Sequence, residues 1–484
     1  MIDADALPPL KILFATPECA PWVKTGGLGD VSAALPRALA ALGHDVKLLM
    51  PLYAPLKKLT ARATRSVHIE AKGPWPASRL VCWRPKGLPF ELLLLDCAEL
   101  FQQGGGPYDD SGGDHARRFG WLSRVAALLA SDATPWPQWR PDVLHGNDWP
   151  AGLAPAYLRT LPAPHARTVF TIHNLAFQGL FPLDRAPQLE LPPAWLTPDG
   201  IEYWGRLSFL KAGIHEADAI TTVSPTYARE ILHEAHGCGF DGILRSRAER
   251  LHGILNGIDT SVWNPATDEL LPMRYSAEQL DGKSLNKQAL QERLRLHTDP
   301  HAPLFGMVSR LTHQKGVDLV LDVLPWLVEQ GAQVAVLGQG DADLERALQD
   351  AAARHPGRVS VQLGFDETLA HLIEGGADAY LMPSRFEPCG LNQMYSQAYG
   401  TLPVARATGG LADTIVDLSA GPEAATGFLF EASTADALQV TLRRVLDAWS
   451  APEVWHAMQR RGMQQQLDWS GSARRYEALY RSLR

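Results

Sequence analysis

Cysteine is scarce in this chain. Five residues in 484, Cys19, Cys82, Cys97, Cys238 and Cys389, are scattered and form no C-x-x-C pair. An odd, dispersed set argues against a disulfide framework or a zinc cluster and for a reducing compartment. A basic run is missing too: 45 Lys plus Arg stand against 53 Asp plus Glu, a formal net charge of −8. That balance argues against general nucleic-acid binding and against a polybasic anchor on a membrane surface. No apolar run approaches the ~20 residues of a membrane span. Residues 1–9 carry two acids and no long apolar stretch, unlike a signal or transit peptide. We expect a cytoplasmic protein. The loop after the first strand lacks both G-x-G-x-x-G and G-x-x-x-x-G-K-[ST], and the histidines show no H-E-x-x-H. Dinucleotide, P-loop and zinc-protease readings therefore lose their usual signatures.

What is present is an ordinary globular composition, 46% hydrophobic and 20% charged, in a chain long enough for at least two domains. Short, mostly apolar runs recur, each followed by a loop and a helical pattern. The first series is Lys11–Thr16, Val46–Met50, Asp142–His145, Arg167–Ile172 and Ala219–Val223; the second is Leu304–Val308, Gln333–Leu337, Val359–Leu363, Ala379–Met382 and Leu402–Ala405. Runs without alternation are the mark of parallel strands covered on both faces. Helices are expected over 318–329, 341–354 and 391–399, and from 432 to the end, where Ser433, Ser450 and Ser470 can each start one. The expected fold is α/β with two Rossmann-like, doubly wound domains, which bind ligands beyond the carboxyl ends of their strands. We place the domains at 1–262 and 263–464, with a last helix in 465–484.

Polar residues cluster after these strands. Lys24-Thr-Gly-Gly-Leu-Gly-Asp30 opens a helix whose N-terminus, with the bare backbone of Gly26 and Gly27, suits an anion; it serves equally as a tight turn. Asp142-Val-Leu-His-Gly-Asn-Asp-Trp149 and Phe170-Thr-Ile-His-Asn-Leu-Ala-Phe-Gln-Gly179 put Asp148, His173 and Asn174 after successive strands. A carboxylate, an imidazole and an amide there suit sugar hydroxyls. Either turn alone could hold only a structural histidine. Arg310 and Lys315, in Ser309–Gly316, can neutralise a diphosphate leaving group or be a solvated pair. Ser384-Arg-Phe-Glu-Pro-Cys-Gly-Leu391 sets Glu387 near a helix N-terminus, as a cap or as a sugar ligand. Asp341-Ala-Asp343 reads as the acidic first turn of a helix and Asp109-Asp110 as a turn. We expect no metal and no other cofactor.

Taken together, the Lys24-Thr-Gly-Gly-Leu loop, Asn147-Asp-Trp149, Thr171-Ile-His-Asn174, Leu255-Asn-Gly-Ile-Asp259, Ser309–Gly316, Glu387-Pro-Cys-Gly-Leu391 and Thr408-Gly-Gly-Leu411 resemble the glycogen and starch synthases that use ADP-glucose. The motifs fall in the family's order over nearly the whole chain. The resemblance implies a GT-B fold, with the site in a cleft between the two domains and a last helix that crosses back to the first. It implies that Arg310, Lys315, Lys24 and the Gly26-Gly27 backbone meet the donor diphosphate. Glu387 with the amides of Cys389, Gly390 and Leu391 would hold glucose, approached from the far side by His173 and Asn174. Asn256 and Thr408 join the sugar and donor contacts, Tyr108 lines the same cleft, and Asp148 lies near the reacting centre. Phe365 stands where relatives often carry Tyr beside the adenine; stacking survives that change while a hydroxyl contact does not.

The implied reaction moves glucose from ADP-glucose to the 4-hydroxyl of an α-1,4-glucan, with retention and without a metal. The partners are then ADP-glucose and glycogen, not nucleic acid or membrane, and the oligomeric state stays open. A UDP-glucose transferase of the sucrose- or trehalose-forming kind is the nearest rival. A nicotinamide oxidoreductase and an inactive glucan binder are the more distant ones.

Overall fold

The computed structural model describes residues 8–102, 106–109 and 114–483. Most of the 1–9 stretch, and Asp110 of the Asp109-Asp110 turn, lie outside the described residues. The chain divides into two units: one runs to Asn256 and takes in the last helix, Trp469–Ser482, and the other is Gly257–Asp468.

The first unit is built on a nine-stranded sheet. In chain order its strands are β1 (Lys11–Ala15), β2 (Asp45–Pro51), β3 (Arg65–Ile69), β4 (Ser78–Trp83), β5 (Glu91–Asp96), β6 (Val143–Asn147) and β7 (Arg167–Ile172). A small antiparallel sheet of β8 (Leu180–Pro182), β9 (Glu202–Tyr203) and β10 (Arg206–Ser208) follows. The main sheet then closes with β11 (Ala219–Thr222) and β12 (Leu251–Gly253). The order is β12-β11-β7-β6-β1-β2-β5-β4-β3. It is parallel except where β4 and β3 pair antiparallel. Four of the five β1 residues are buried, as are all of β6, because helices cover both faces. The chain winds one way from β1 to β2 and the other way from β6 onward, so a topological switch falls between β1 and β6.

The second unit repeats the plan. Its strands are β13 (Leu304–Leu311), β14 (Gln333–Gly340), β15 (Val359–Leu363), β16 (Ala379–Met382), β17 (Leu402–Arg406) and β18 (Phe428–Phe430). They lie in the order β15-β14-β13-β16-β17-β18, all parallel. Here the switch falls between β13 and β16. Apolar clusters around Phe305, Val334 and Leu381 on one side, and Leu304, Ile373 and Tyr380 on the other, fill the space between sheet and helices.

The three serine caps are corrected by the structure. Thr434, not Ser433, caps the helix Ala435–Trp449, accepting from the Ala437 N–H. Ser450 ends that helix, its hydroxyl donating to the Leu446 carbonyl 3.0 Å away. The next helix opens at Pro452, which needs no donor at the first position. Ser470 lies inside the last helix.

That helix belongs to the first sheet. The Tyr480 hydroxyl meets His145 Nδ1 at 2.7 Å. His145 Nε2 meets Thr171 Oγ1 at 2.6 Å, and Thr171 meets Thr221 at 2.5 Å. A buried polar thread thus runs from the helix across β6, β7 and β11. Trp469, Ala473 and Tyr476 join the apolar core around it.

Candidate active site

Both switch points gather the polar residues singled out above. At the first, β1 gives way to a loop that folds over a carboxylate absent from the sequence-derived set. Glu18 is 2% exposed. Its Oε2 accepts from the Thr25 N–H at 2.7 Å, its Oε1 accepts from the Tyr108 hydroxyl at 3.0 Å, and the Thr25 hydroxyl bonds it as well. The only advance sign was an acid in the loop after the first strand. Lys24 pairs with Asp30 at 2.8 Å in the first turn of the helix Gly27–Ala41, while Gly26 is the extended residue before it. Lys24, Gly26 and Gly27 are all exposed.

Beyond β6, Asp148 adopts φ 52° and ψ −179°, a region that is essentially glycine's own and strains other residues by about 1–3 kcal/mol. The His173 N–H fixes it, donating to Oδ1 at 2.7 Å. Burial pushes the Asp148 carboxyl up to about 7, against the pull of the His173 and Asn174 amides. Asn147 donates through Nδ2 to the Ala15 carbonyl at 3.1 Å, so its Oδ1 accepts from His173 Nε2 at 3.0 Å. That assignment leaves His173 Nδ1 as an acceptor. Burial lowers His173 to about 3, keeping the ring neutral at pH 7. The Asn174 side chain closes a turn onto the Ala176 N–H at 3.0 Å through its oxygen, leaving its amide nitrogen to donate elsewhere.

Lys24, Gly26, Gly27, Tyr108, Asp148, His173 and Asn174 thus share one end of the sheet. Asn256 follows the edge strand β12 at the same end of the sheet, with β11 and β7 between it and β6; it is buried, and its Oδ1 has no hydrogen-bond partner among the described residues. Beside Asp148, Trp149 borders a cavity of about 320 Å³ lined also by His115, Phe177 and Phe181.

At the second switch point, Arg310 lies at the end of β13, in register with Gln339. Its guanidinium is exposed and has no partner among the described residues. Lys315 is not free. Its Nζ meets Glu387 Oε2 at 2.5 Å, and Ser384 donates to the same oxygen at 2.9 Å. Two residues read separately from sequence therefore form one ion pair. The loops that carry them are laced together. Arg385 grips both Asp318 oxygens at 2.8 and 2.6 Å and the His313 carbonyl at 2.6 Å, while its N–H donates to the Gln314 carbonyl at 2.8 Å. A methyl on Gly316, φ +69°, would run into the Pro383 carbonyl, and one on Gly409, φ +46°, into that of Glu387. Such close backbone approach needs glycine.

Cys389 is buried, and Gln393 ties back the Cys389 and Gly390 carbonyls at 3.0 Å each. The N–H groups of Gly390 and Leu391 make no hydrogen bond among the described residues. Thr408 is buried ahead of the helix Gly409–Thr414, and the Gly410 N–H donates to the Glu387 carbonyl at 3.2 Å. Arg310, Lys315, Glu387, Cys389, Gly390, Leu391 and Thr408 therefore converge. Phe365 follows the edge strand β15 at the same end of the sheet, two strands from β13, and is 80% exposed. Asp341 precedes the helix Ala342–Arg354 without a side-chain capping bond, and Asp343 pairs with Arg346 within it. Among the described residues no group of three His, Cys, Asp or Glu side chains is placed to hold a metal ion.

Residues 11–246 match the starch synthase catalytic domain, and residues 291–462 match the glycosyl transferases group 1 domain. A glycogen synthase of Aromatoleum aromaticum is 54% identical over 98% of this chain and 97% of its own. One of Paracidovorax citrulli is 52% identical over 98% and 95%. The chain belongs to the glycogen and starch synthase family. The catalytic domain of starch synthase IV from Arabidopsis thaliana, solved with ADP and acarbose, superimposes with a TM-score of 0.85 at 30% identity, covering 98% of this chain and 99% of that one. Membership makes the chain a hexosyltransferase of GT-B fold, its two sheets the paired Rossmann-like domains expected from sequence. No helix of the described residues is long and apolar enough to cross a membrane.

Proposed function

We propose that the chain transfers glucose from ADP-glucose to the 4-hydroxyl at the non-reducing end of an α-1,4-glucan, with retention and without a metal ion. The observation that carries this reading is the convergence of Arg310, the Lys315–Glu387 pair and the unbonded Gly390 and Leu391 amides at one switch point. Departure of a nucleoside diphosphate builds negative charge, and preorganised cations stabilise it. Arg310 offers an uncommitted guanidinium. Lys315, held by Glu387, still has further protons to donate. Glu387 is left one oxygen for a sugar hydroxyl, with the two amides beside it.

On the other sheet, Asp148, His173 and Asn174 supply acceptors and a donor for sugar hydroxyls, and the aromatic cavity beside Trp149 suits the faces of a glucan. Retention by double displacement needs a nucleophilic carboxylate under the anomeric carbon. Asp148 is a poor one, with Oδ1 engaged by the His173 amide and a carboxyl pushed up to about 7. Same-face attack, with the departing phosphate taking the acceptor's proton, fits better. Trapping of a glucosyl–Asp148 adduct would contradict it. The five cysteines form no disulfide, in keeping with a cytoplasmic enzyme.

The test is ADP release by purified protein with glycogen, ADP-glucose against UDP-glucose, with and without EDTA. Glycogen-dependent, EDTA-resistant release from ADP-glucose is expected. Preference for UDP-glucose, or indifference to glycogen, would move the chain to another branch of GT-B transferases.

A further inference from the structure

We infer that Glu18 is a positioning residue that couples donor binding to glucan binding. The inference rests on the reading above, with the Lys24–Gly27 loop at the donor diphosphate as the resemblance implies and Tyr108, whose ring neighbours Trp149, assigned here to the glucan. One buried carboxylate holds both. Oε2 takes the Thr25 N–H at 2.7 Å, so it fixes the backbone of the loop between Lys24 and Gly26. Oε1 takes the Tyr108 hydroxyl at 3.0 Å. The Tyr108 ring in turn lies 6.3 Å from Trp149, which borders the aromatic cavity. Glu18 itself is anchored from behind. The Thr16 hydroxyl donates to its carbonyl at 3.0 Å, and Thr16 also meets Ser32 of the following helix at 2.9 Å.

The carboxylate cannot shift toward one partner without lengthening its bond to the other. A ligand that orders the loop therefore lowers the entropic cost of ordering Tyr108, and the converse holds by linkage. The Thr25 N–H and the Tyr108 phenol reach opposite oxygens of the carboxylate, and the Thr25 hydroxyl lies 3.0 Å from both. Glu18→Leu removes both acceptor oxygens at nearly the same side-chain size, so both bonds are lost and the link is cut; in Glu18→Gln the amide oxygen can still take the Thr25 N–H while the amide N–H donates to the Tyr108 oxygen, so the link is kept.

The experiment measures equilibrium binding of ADP to the full chain by calorimetry, with and without saturating maltohexaose, and of maltohexaose with and without ADP. In the unmodified protein each ligand should tighten the other by the same factor, about 5-fold or more, the lower end of usual coupling. Glu18→Gln should keep most of the factor, while in Glu18→Leu it should fall toward one. Tyr108→Phe, which touches the carboxylate from the opposite side and leaves the core intact, should do the same, and the double variant should lose nothing further. A merely structural Glu18 would weaken both affinities and leave the factor unchanged, which overturns the inference. Independent binding of the two ligands in the unmodified protein overturns it as well. Failure of the unmodified protein to bind ADP or maltohexaose at all would instead overturn the functional reading beneath it.

Discussion

Asp148 concentrates the conflicts of the site in one residue. Its backbone occupies a region other side chains avoid, and its carboxyl is buried with two amides as compensation. The sign of its effect on stability follows from the raised value. Between 3.8 and about 7 the folded protein keeps a proton that the unfolded chain has released. Stability therefore falls as pH rises through that window, and the full penalty is present above it. Asp148→Asn keeps the acceptor for the His173 amide and removes the charge. Its melting temperature should gain on the unmodified protein between pH 5 and pH 8, while glycogen-dependent ADP release collapses. A difference in melting temperature that is flat with pH would show that the carboxyl is not held protonated. For the cations, Arg310→Ala should lower kcat on the order of 10²–10³, as for other transition-state stabilisers, with a smaller change in the KM for ADP-glucose. An equal loss confined to KM would make Arg310 a ground-state contact. Arg310, Lys315 and Glu387 were legible in the sequence because charged residues follow apolar strands there. The ion pair between two of them was not, since it joins loops 72 residues apart. Glu18 escaped because a single acid in a loop has no spacing that distinguishes a buried acceptor from a solvated one.

At the scale of elements, the parallel strands announced themselves by unbroken apolar runs between helical patterns. The parts of the first sheet that went unnamed are β12 and the run from β3 to β5, whose strand β5 is the telling case. Its Glu91-Leu-Leu-Leu-Leu-Asp96 is as apolar as any named strand, but a short apolar run cannot be told from a buried helix turn by period alone. The edge strand β3 is largely exposed and carries no burial pattern. The caps failed for a related reason: three candidate hydroxyls lay within a residue or two of true helix starts, and backbone geometry rather than residue type chose among neighbours. The thread Tyr480–His145–Thr171–Thr221 was invisible in sequence, because it joins an element at the end of the chain to strands more than 250 residues earlier. Burial lowers His145 to about 3, so a neutral ring links the two at any pH near 7. Tyr480→Phe strips that ring of one partner in a fully buried site. The expected loss is about 1–3 kcal/mol, read by urea unfolding at pH 7.5. A loss below a few tenths would mean that His145 finds another partner.

For the whole molecule, the two units differ in how the chain supplies them. The second is continuous, Gly257–Asp468, with its own cores. The first is assembled from the N-terminal segment and the last helix, whose Trp469, Tyr476 and Tyr480 are part of its core. Aromatic side chains bury about 150–250 Å² each. At about 25 cal/mol per Å², three of them contribute on the order of 10 kcal/mol as an upper bound. That is comparable to the entire net stability of a domain, about 5–15 kcal/mol. Removing the helix should therefore leave the first unit unable to fold, while the second needs nothing from outside its own span. A fragment of residues 257–468 should be soluble and melt cooperatively. A fragment of residues 8–256 should aggregate or remain molten, and a peptide of residues 465–483 supplied with it should restore a cooperative transition. Cooperative folding of 8–256 alone would show that the helix only decorates a finished core; failure of the peptide to rescue it would show that the first unit depends on the second for more than the return of its last helix.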